Sequence, residues 1–129
     1  MARILLVDDD AGVVARNAAA LDADGHAVST AATSAQALDF VRRGTPDVVV
    51  LEALLDGGMA GFDLARKLAR EFPALPLIML SRVDEVISAR ELAAQDRDGG
   101  WMPVQRFMEK PVSPEVLVYE VDHLLPVAH

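Results

Sequence analysis

The chain has 129 residues, 52% of them apolar and 25% charged, with no cysteine and a net charge of −8. That length fits one domain, residues 1–129, with a core of its own and little room for a second, and the absence of cysteine excludes disulfides and thiolate metal sites. The acidic balance argues against nucleic acid as a partner, because phosphate contacts need a basic face. No apolar run approaches the ~20 residues of a membrane span, and the opening residues turn acidic too soon for a signal peptide, so a cytoplasmic domain is expected.

Arg3 to Val7 is an aliphatic run ending in Asp8-Asp9-Asp10, the pattern of a buried strand. Gly12 to Asp24 is alanine-rich, with Val14, Ala18 and Leu21 on one helical face and Gly25 as its stop. His26 to Ala31 reads as a second strand. Thr33 and Gln36 have capping-box spacing at the start of a helix that runs to Arg43 and stops at Gly44. Val48 to Leu51 is a third buried strand by its β-branched run. A loop with Gly57, Gly58 and Gly61 precedes a helix from Phe62 to Glu71. Pro73 and Pro76 bracket the turn into a fourth strand, Leu77 to Leu80.

Asp84 to Gln95 is helical in composition, and 97–103, with Gly99-Gly100 and Pro103, is an irregular loop. Arg106 to Glu109 is a short fifth strand. Ser113-Pro114 caps a last helix whose inward stripe is Leu117, Val121, Leu124 and Leu125. Five β-then-α units imply a parallel sheet covered by helices on both faces. Right-handed crossovers favour the flavodoxin-like (βα)5 three-layer sandwich with strand order 2-1-3-4-5. The crevice beyond the carboxyl ends of the strands is then the place for function.

Those ends carry Asp8, Asp9 and Asp10, then Glu52, Ser81 and Lys110. Converging carboxylates repel one another, and a divalent cation relieves that repulsion. An all-oxygen ligand set favours Mg²⁺ over zinc or copper. A hydroxyl and a lysine facing that ion suit a phosphoryl oxygen.

The ordered set resembles the response-regulator receiver domain, of the single-domain, chemotaxis-regulator-like kind. Ile4 to Asp9 is similar to its first strand and acidic pair. Pro46 to Glu52, with Gly61-Phe62-Asp63-Leu64, is similar to the segment around its phosphate-accepting aspartate. Pro76 to Ser81 resembles its fourth strand, and Phe107-Met108-Glu109-Lys110-Pro111 its fifth. The resemblance implies a non-enzymatic two-component, phosphorelay-type signalling module whose aspartate receives a histidine kinase's phosphoryl group beside Mg²⁺. It implies a weak Mg²⁺ site at Asp8, Asp9 and Glu52, a switch pair of Ser81 and Phe107, a phosphoryl contact from Lys110, and a cis bond before Pro111. It also implies a protein partner, a histidine kinase or downstream effector, on the face formed by the helix at 84–95, the strand at 106–109 and the last helix. Exposed Tyr119 and Glu120 belong to that face, and self-association is a further route to output.

The departures from the family matter most. Glu52 stands where the phosphoacceptor aspartate is expected, so the domain is read as an atypical receiver, a pseudo-receiver not phosphorylated in the usual way; the alternative is conventional phosphorylation on Glu52 or another acidic residue. The 53–61 loop is one residue longer than usual, with Asp56 where proline is common. Arg82 follows the switch hydroxyl in place of a small residue. Extra length falls in 96–105 around Trp101, which reads as a packed anchor or, alternatively, an exposed partner contact. His26, His123 and His129 read as surface residues. Two rival functions are weaker. Asp8-Asp9-Asp10 meets the Asp-x-Asp signature of haloacid-dehalogenase-like phosphatases, but the chain is short for their cap and later acidic pair. Flavin binding lacks a phosphate-cradling first loop.

Overall fold

Runs of aliphatic side chains form strands where a sheet is covered on both faces, and five such runs do so here. The computed structural model describes residues 2–58, 60–81 and 104–125. Its strands are β1 (Arg3–Val7), β2 (Ala27–Ala31), β3 (Val48–Glu52), β4 (Leu77–Ser81) and β5 (Arg106–Glu109). They form one parallel sheet in the order β2-β1-β3-β4-β5, the flavodoxin-like order expected. The described helices are α1 (Ala11–Ala23), α2 (Ser34–Arg43), α3 (Ala60–Glu71) and α4 (Pro114–Leu124). The helix expected at 84–95, Arg82 and the loop around Trp101 lie outside the described residues. None of the described helices is long and apolar enough to cross a membrane.

Side-chain caps set where the helices begin. Asp10 accepts from the Gly12 and Val13 amides, Thr33 from Gln36 and Ser113 from Val116, each using a polar oxygen to satisfy amides that the first turn leaves open. Gln36 reaches back to the Ala32 amide at 2.9 Å, completing a box one residue wider than the Thr33–Gln36 spacing suggests. Gly25 ends α1 with φ +94, a conformation that favours glycine.

Alternation along the strands divides the core into two layers. Leu5, Val7, Val49, Leu51, Leu77 and Met79 face α2 and α3 through Val41, Leu64 and Leu68. Ile4, Leu6, Val48, Val50, Ile78 and Leu80 face α1 and α4 through Leu21, Leu117 and Val121. Burying each such side chain contributes roughly 1.5–3 kcal/mol, so these layers dominate the fold's stability.

Several boundaries differ from the sequence reading. Glu52 and Ser81 are the last residues of their strands rather than the first beyond them, and Gly61 lies inside α3. His26, expected at the surface, is buried. Its Nδ1 accepts from the Ala2 amide at 3.2 Å, and its Nε2 lies 2.8 Å from Asp122 and 3.0 Å from Asp24. Partners from three parts of the chain satisfy the ring, which is why it can be internal. His123 is exposed as expected, beside the Tyr119 ring.

At the surface, α2 and α3 are joined by a forked pair, Arg42 Nε to Glu71 Oε2 at 3.0 Å and Nη2 to Oε1 at 2.5 Å. The Arg42 hydrogen bond holds the Glu71 carboxyl below its ordinary value of 4.5. A depressed folded value adds stability above the unfolded value and loses it as pH falls through the folded one. Glu71→Gln should therefore melt slightly below the parent at neutral pH, with the gap narrowing as pH falls into the acid range. Thermal melts across that range check this.

Candidate functional site at the carboxyl end of the sheet

The alternation that splits the core also aims the acidic residues. Asp8 continues the Ile4, Leu6 side of β1, and Glu52 the Val48, Val50 side of β3, so both belong to the α1–α4 side of the sheet. Lys110 follows β5, its amide donating to the Ser81 carbonyl at 2.7 Å. Its Nζ lies 3.0 Å from Asp8 Oδ2 and is ion-paired with Glu52 Oε2. The remaining oxygens are also engaged: Asp8 Oδ1 accepts from the Asp10 amide at 2.9 Å, and Glu52 Oε1 from the Leu54 amide at 3.1 Å. One ammonium thus bridges two buried carboxylates.

Burial pushes the Glu52 carboxyl above its ordinary range, outweighing the Lys110 and Leu54 hydrogen bonds that pull it down. Burial alone would lower the Lys110 ammonium, but its bonds to Glu52 and Asp8 outweigh this and leave it raised. The contrast reflects number of partners: the lysine meets two carboxylates, whereas each carboxylate shares one lysine.

Of the residues singled out in the sequence, Asp8, Asp9, Glu52, Lys110 and Pro111 line one cavity of about 450 Å³. Asp9 is exposed at this end of the sheet. Ser81 is fully buried and is not among the lining residues, and Phe107 is half-buried against the opposite core layer. The Lys110–Pro111 peptide is cis. The sequence reading missed Asn17, which is buried in the cavity wall with Oδ1 lacking a hydrogen-bond partner. A polar residue in the apolar stretch of α1 was the available signal.

The loop after β3 is closely tied down. Asp56 (φ +57) and Gly57 (φ +76) sit between the reciprocal Leu55–Gly58 bonds, both 2.9 Å, a two-residue turn of the kind Asp-Gly favours. Ser34 Oγ donates to Asp56 Oδ2 at 2.5 Å, joining the turn to α2. Gly61 brings α3 directly against β3: a Cβ there would lie 2.1 Å from the Glu52 carbonyl oxygen.

Asp8, Asp9 and Glu52 offer carboxylate oxygens, the donor type Mg²⁺ takes, but their ligand atoms do not all come within 4.8 Å of one another. Among the described residues the group that does so is Asp24, His26 and Asp122, built from the turn after α1 and from α4. It suits an ion poorly. The Ala2 amide needs the Nδ1 lone pair, which leaves the ring hydrogen on Nε2, the atom facing both carboxylates.

Comparisons with known proteins agree with this fold. The chain is 33% identical over 123 residues to the transcriptional regulatory protein TcrX of Mycobacterium tuberculosis, covering 95% of this chain and 49% of that protein. It is 29% identical over 130 residues to PilH of Pseudomonas aeruginosa, covering 97% and 98% respectively. The chain thus spans about half of the first relative and nearly all of the second. The receiver domain of NtrX from Brucella abortus superposes with a TM-score of 0.79 at 26% identity, over 97% of this chain and 99% of that one. The chemotaxis response regulator CheY4 of Vibrio cholerae, at 23% identity and a TM-score of 0.79 over 97% and 99%, shows the same fold. Residues 4–122 match the family described as response regulator receiver domain, and the chain belongs to that family.

Proposed function

We propose that this receiver module of two-component signalling is an atypical one, not phosphorylated in the usual way and acting through protein contact. The observation that carries the reading is that both oxygens of Glu52, the phosphoacceptor-equivalent residue, are engaged, one by Leu54 and one by Lys110. Glutamate also extends its carboxylate by one carbon–carbon bond beyond aspartate, roughly 1.5 Å. In-line transfer loses about a hundredfold per ångström of misplacement. The extended carboxylate carries one charge against about two for a phosphate, so it mimics the phosphorylated state only in part. Paired with Lys110, it holds the domain in one signalling state.

Asp8, Asp9 and Glu52 would hold Mg²⁺ weakly. The ion would supply positive charge against the carboxylates or a phosphoryl oxygen. Ser81 and Phe107 fill the switch positions. Output passes through the surface of β5 and α4, where Tyr119 is 58% exposed, to a histidine kinase, a downstream effector or a second copy, in the cytoplasm. The phosphatase reading is disfavoured, since Asp8 is bound by Lys110 and Asp10 caps α1.

Incubation with Mg²⁺ and acetyl phosphate, followed by intact mass, tests the proposal against Glu52→Asp. The parent should gain no adduct, and the variant should gain one phosphoryl group. An adduct mapping to Glu52 in the parent would overturn it.

A further inference from the structure

We infer that the exposed face of α4 binds, head to tail, the groove between α2 and α3 of a second copy of this chain. Among the described residues the exposed large apolar side chains are Val116 and Tyr119, three positions apart and so neighbours on one face of α4. The Tyr119 ring rests on that of His123, with centroids 4.0 Å apart. It therefore meets a partner already placed and loses little side-chain freedom on binding. Between α2 and α3 lies a cavity of about 290 Å³, the space of about ten waters, which admits an aromatic ring. Leu38, Ala60 and Leu64 give it an aliphatic lining, and Asp63 and Lys67 a polar rim. Tyrosine suits such a site, its ring meeting the aliphatic side chains while its hydroxyl stays at the wet edge.

Charge points to the same pairing. Helix α4 carries Glu115, Glu120 and Asp122 and no lysine or arginine, whereas α3 carries Arg66, Lys67 and Arg70 against Asp63 and Glu71. Glu120 and Asp122 are occupied by Arg106 and His26, and Glu71 by Arg42 of α2. The charges offered to a partner are then Glu115, beside Val116 on α4, and Lys67 and Arg70 on α3, which attract one another. The net charge of −8 on each copy opposes association at longer range, so the contact is a weak one. Leu64 belongs to the core layer under α2 and α3, and Leu117 and Val121 to the layer under α1 and α4. Groove and ring thus lie on opposite sides of the sheet. A two-fold pair cannot fill both at once, so the contact is heterologous and adds copies one after another.

The inference rests on the reading of α4 as an output surface and names its partner. Sedimentation equilibrium of the full chain, without Mg²⁺ or acetyl phosphate, tests it. The parent's mean mass should rise with concentration, with a Kd of about 0.1–1 mM, as for small transient contacts. Tyr119→Ser removes the ring. Ala35→Glu, at an exposed position lining the groove, obstructs the groove with a charge that repels Glu115. Each should weaken association at least about tenfold. Mixed in equal amounts, the two variants should pair through the one intact groove and the one intact ring, with a Kd within about twofold of the parent's. Growth should stop at the pair, because no second contact is left. A parent that stays monomeric at about 1 mM overturns the inference, as does a mixture no more associated than its components. So does an Ala35→Glu variant that associates like the parent, which would set α4 against α4. A phosphoryl adduct on Glu52 would sink the atypical-receiver reading without moving these masses, and a monomeric parent would leave that reading standing.

Discussion

Gly61→Ala is expected to lower stability by about 3 kcal/mol, because it forces α3 away from β3. The added Cβ would lie 2.1 Å from the Glu52 carbonyl oxygen, 2.6 Å from that of Ala53 and 2.7 Å from the Ala53 Cα. All three are backbone atoms, so no side-chain rotation makes room. Relief requires α3 to back away, which stretches the 3.0 Å bond from the Gly61 amide to the Ala53 carbonyl. It also loosens Leu64 and Leu68 in the core layer beneath. Alanine's better helix propensity opposes this by at most about 1 kcal/mol, and by less at the second helical residue. Packing wins. The midpoint of thermal unfolding should fall by about 10 °C for a domain of this size. Gly58→Ala is the control: a Cβ there meets nothing within 4 Å, and its melting point should not move. An unchanged midpoint in Gly61→Ala would show that the close approach is not needed in solution.

That glycine shows where the sequence was readable and where it was not. The five strands and their order follow from aliphatic runs separated by helical stretches, a pattern carried by neighbouring residues. Gly61 was read as part of a loop because glycine usually interrupts helices, whereas its use here is to let two backbones meet. The same limit applies to His26. Nothing nearby in sequence announces Asp122, 96 positions away, as its partner. In α1, Val14, Ala18 and Leu21 read as the inner face, and they are: Leu21 is buried, Ala18 packs against its core layer and Val14 is half-buried. What periodicity did not announce is that a polar residue, Asn17, is buried on that same face. The carboxylates and the lysine were legible as strand-end residues. What the sequence withheld was that Lys110 lies between Asp8 and Glu52, a contact that needs all five strands in register.

Lys110→Met is expected to cost about 3 kcal/mol at neutral pH, at the lower end for breaking a buried ion pair. The Lys110 side chain is 19% exposed, while the Asp8 and Glu52 side chains it joins are 8% and 6% exposed. Its removal leaves two buried carboxylates without their shared cation, a larger penalty than the lost contacts alone. The pH response follows from Glu52. Burial already raises its carboxyl above 4.5, and Lys110 is the main influence pulling it down. The variant's Glu52 should therefore hold its proton to higher pH than the parent's. A raised folded value makes the ionised carboxylate destabilising. The loss is full above that value and shrinks as pH falls through it toward the unfolded one. Urea midpoints in EDTA should thus separate parent and variant more at about pH 7.5 than at about pH 5. The parent's own benefit from the raised Lys110 ammonium should fade only in alkali, above its ordinary value of 10.5. Adding Glu52→Gln to Lys110→Met removes one of the two stranded charges, leaving Asp8, and should restore about half of the lost stability, an interaction read from the double-mutant cycle. A deficit equal at both pH values, or unrelieved by Glu52→Gln, would mean that Lys110 supports the fold through packing of its aliphatic stem rather than as the counter-charge at this site.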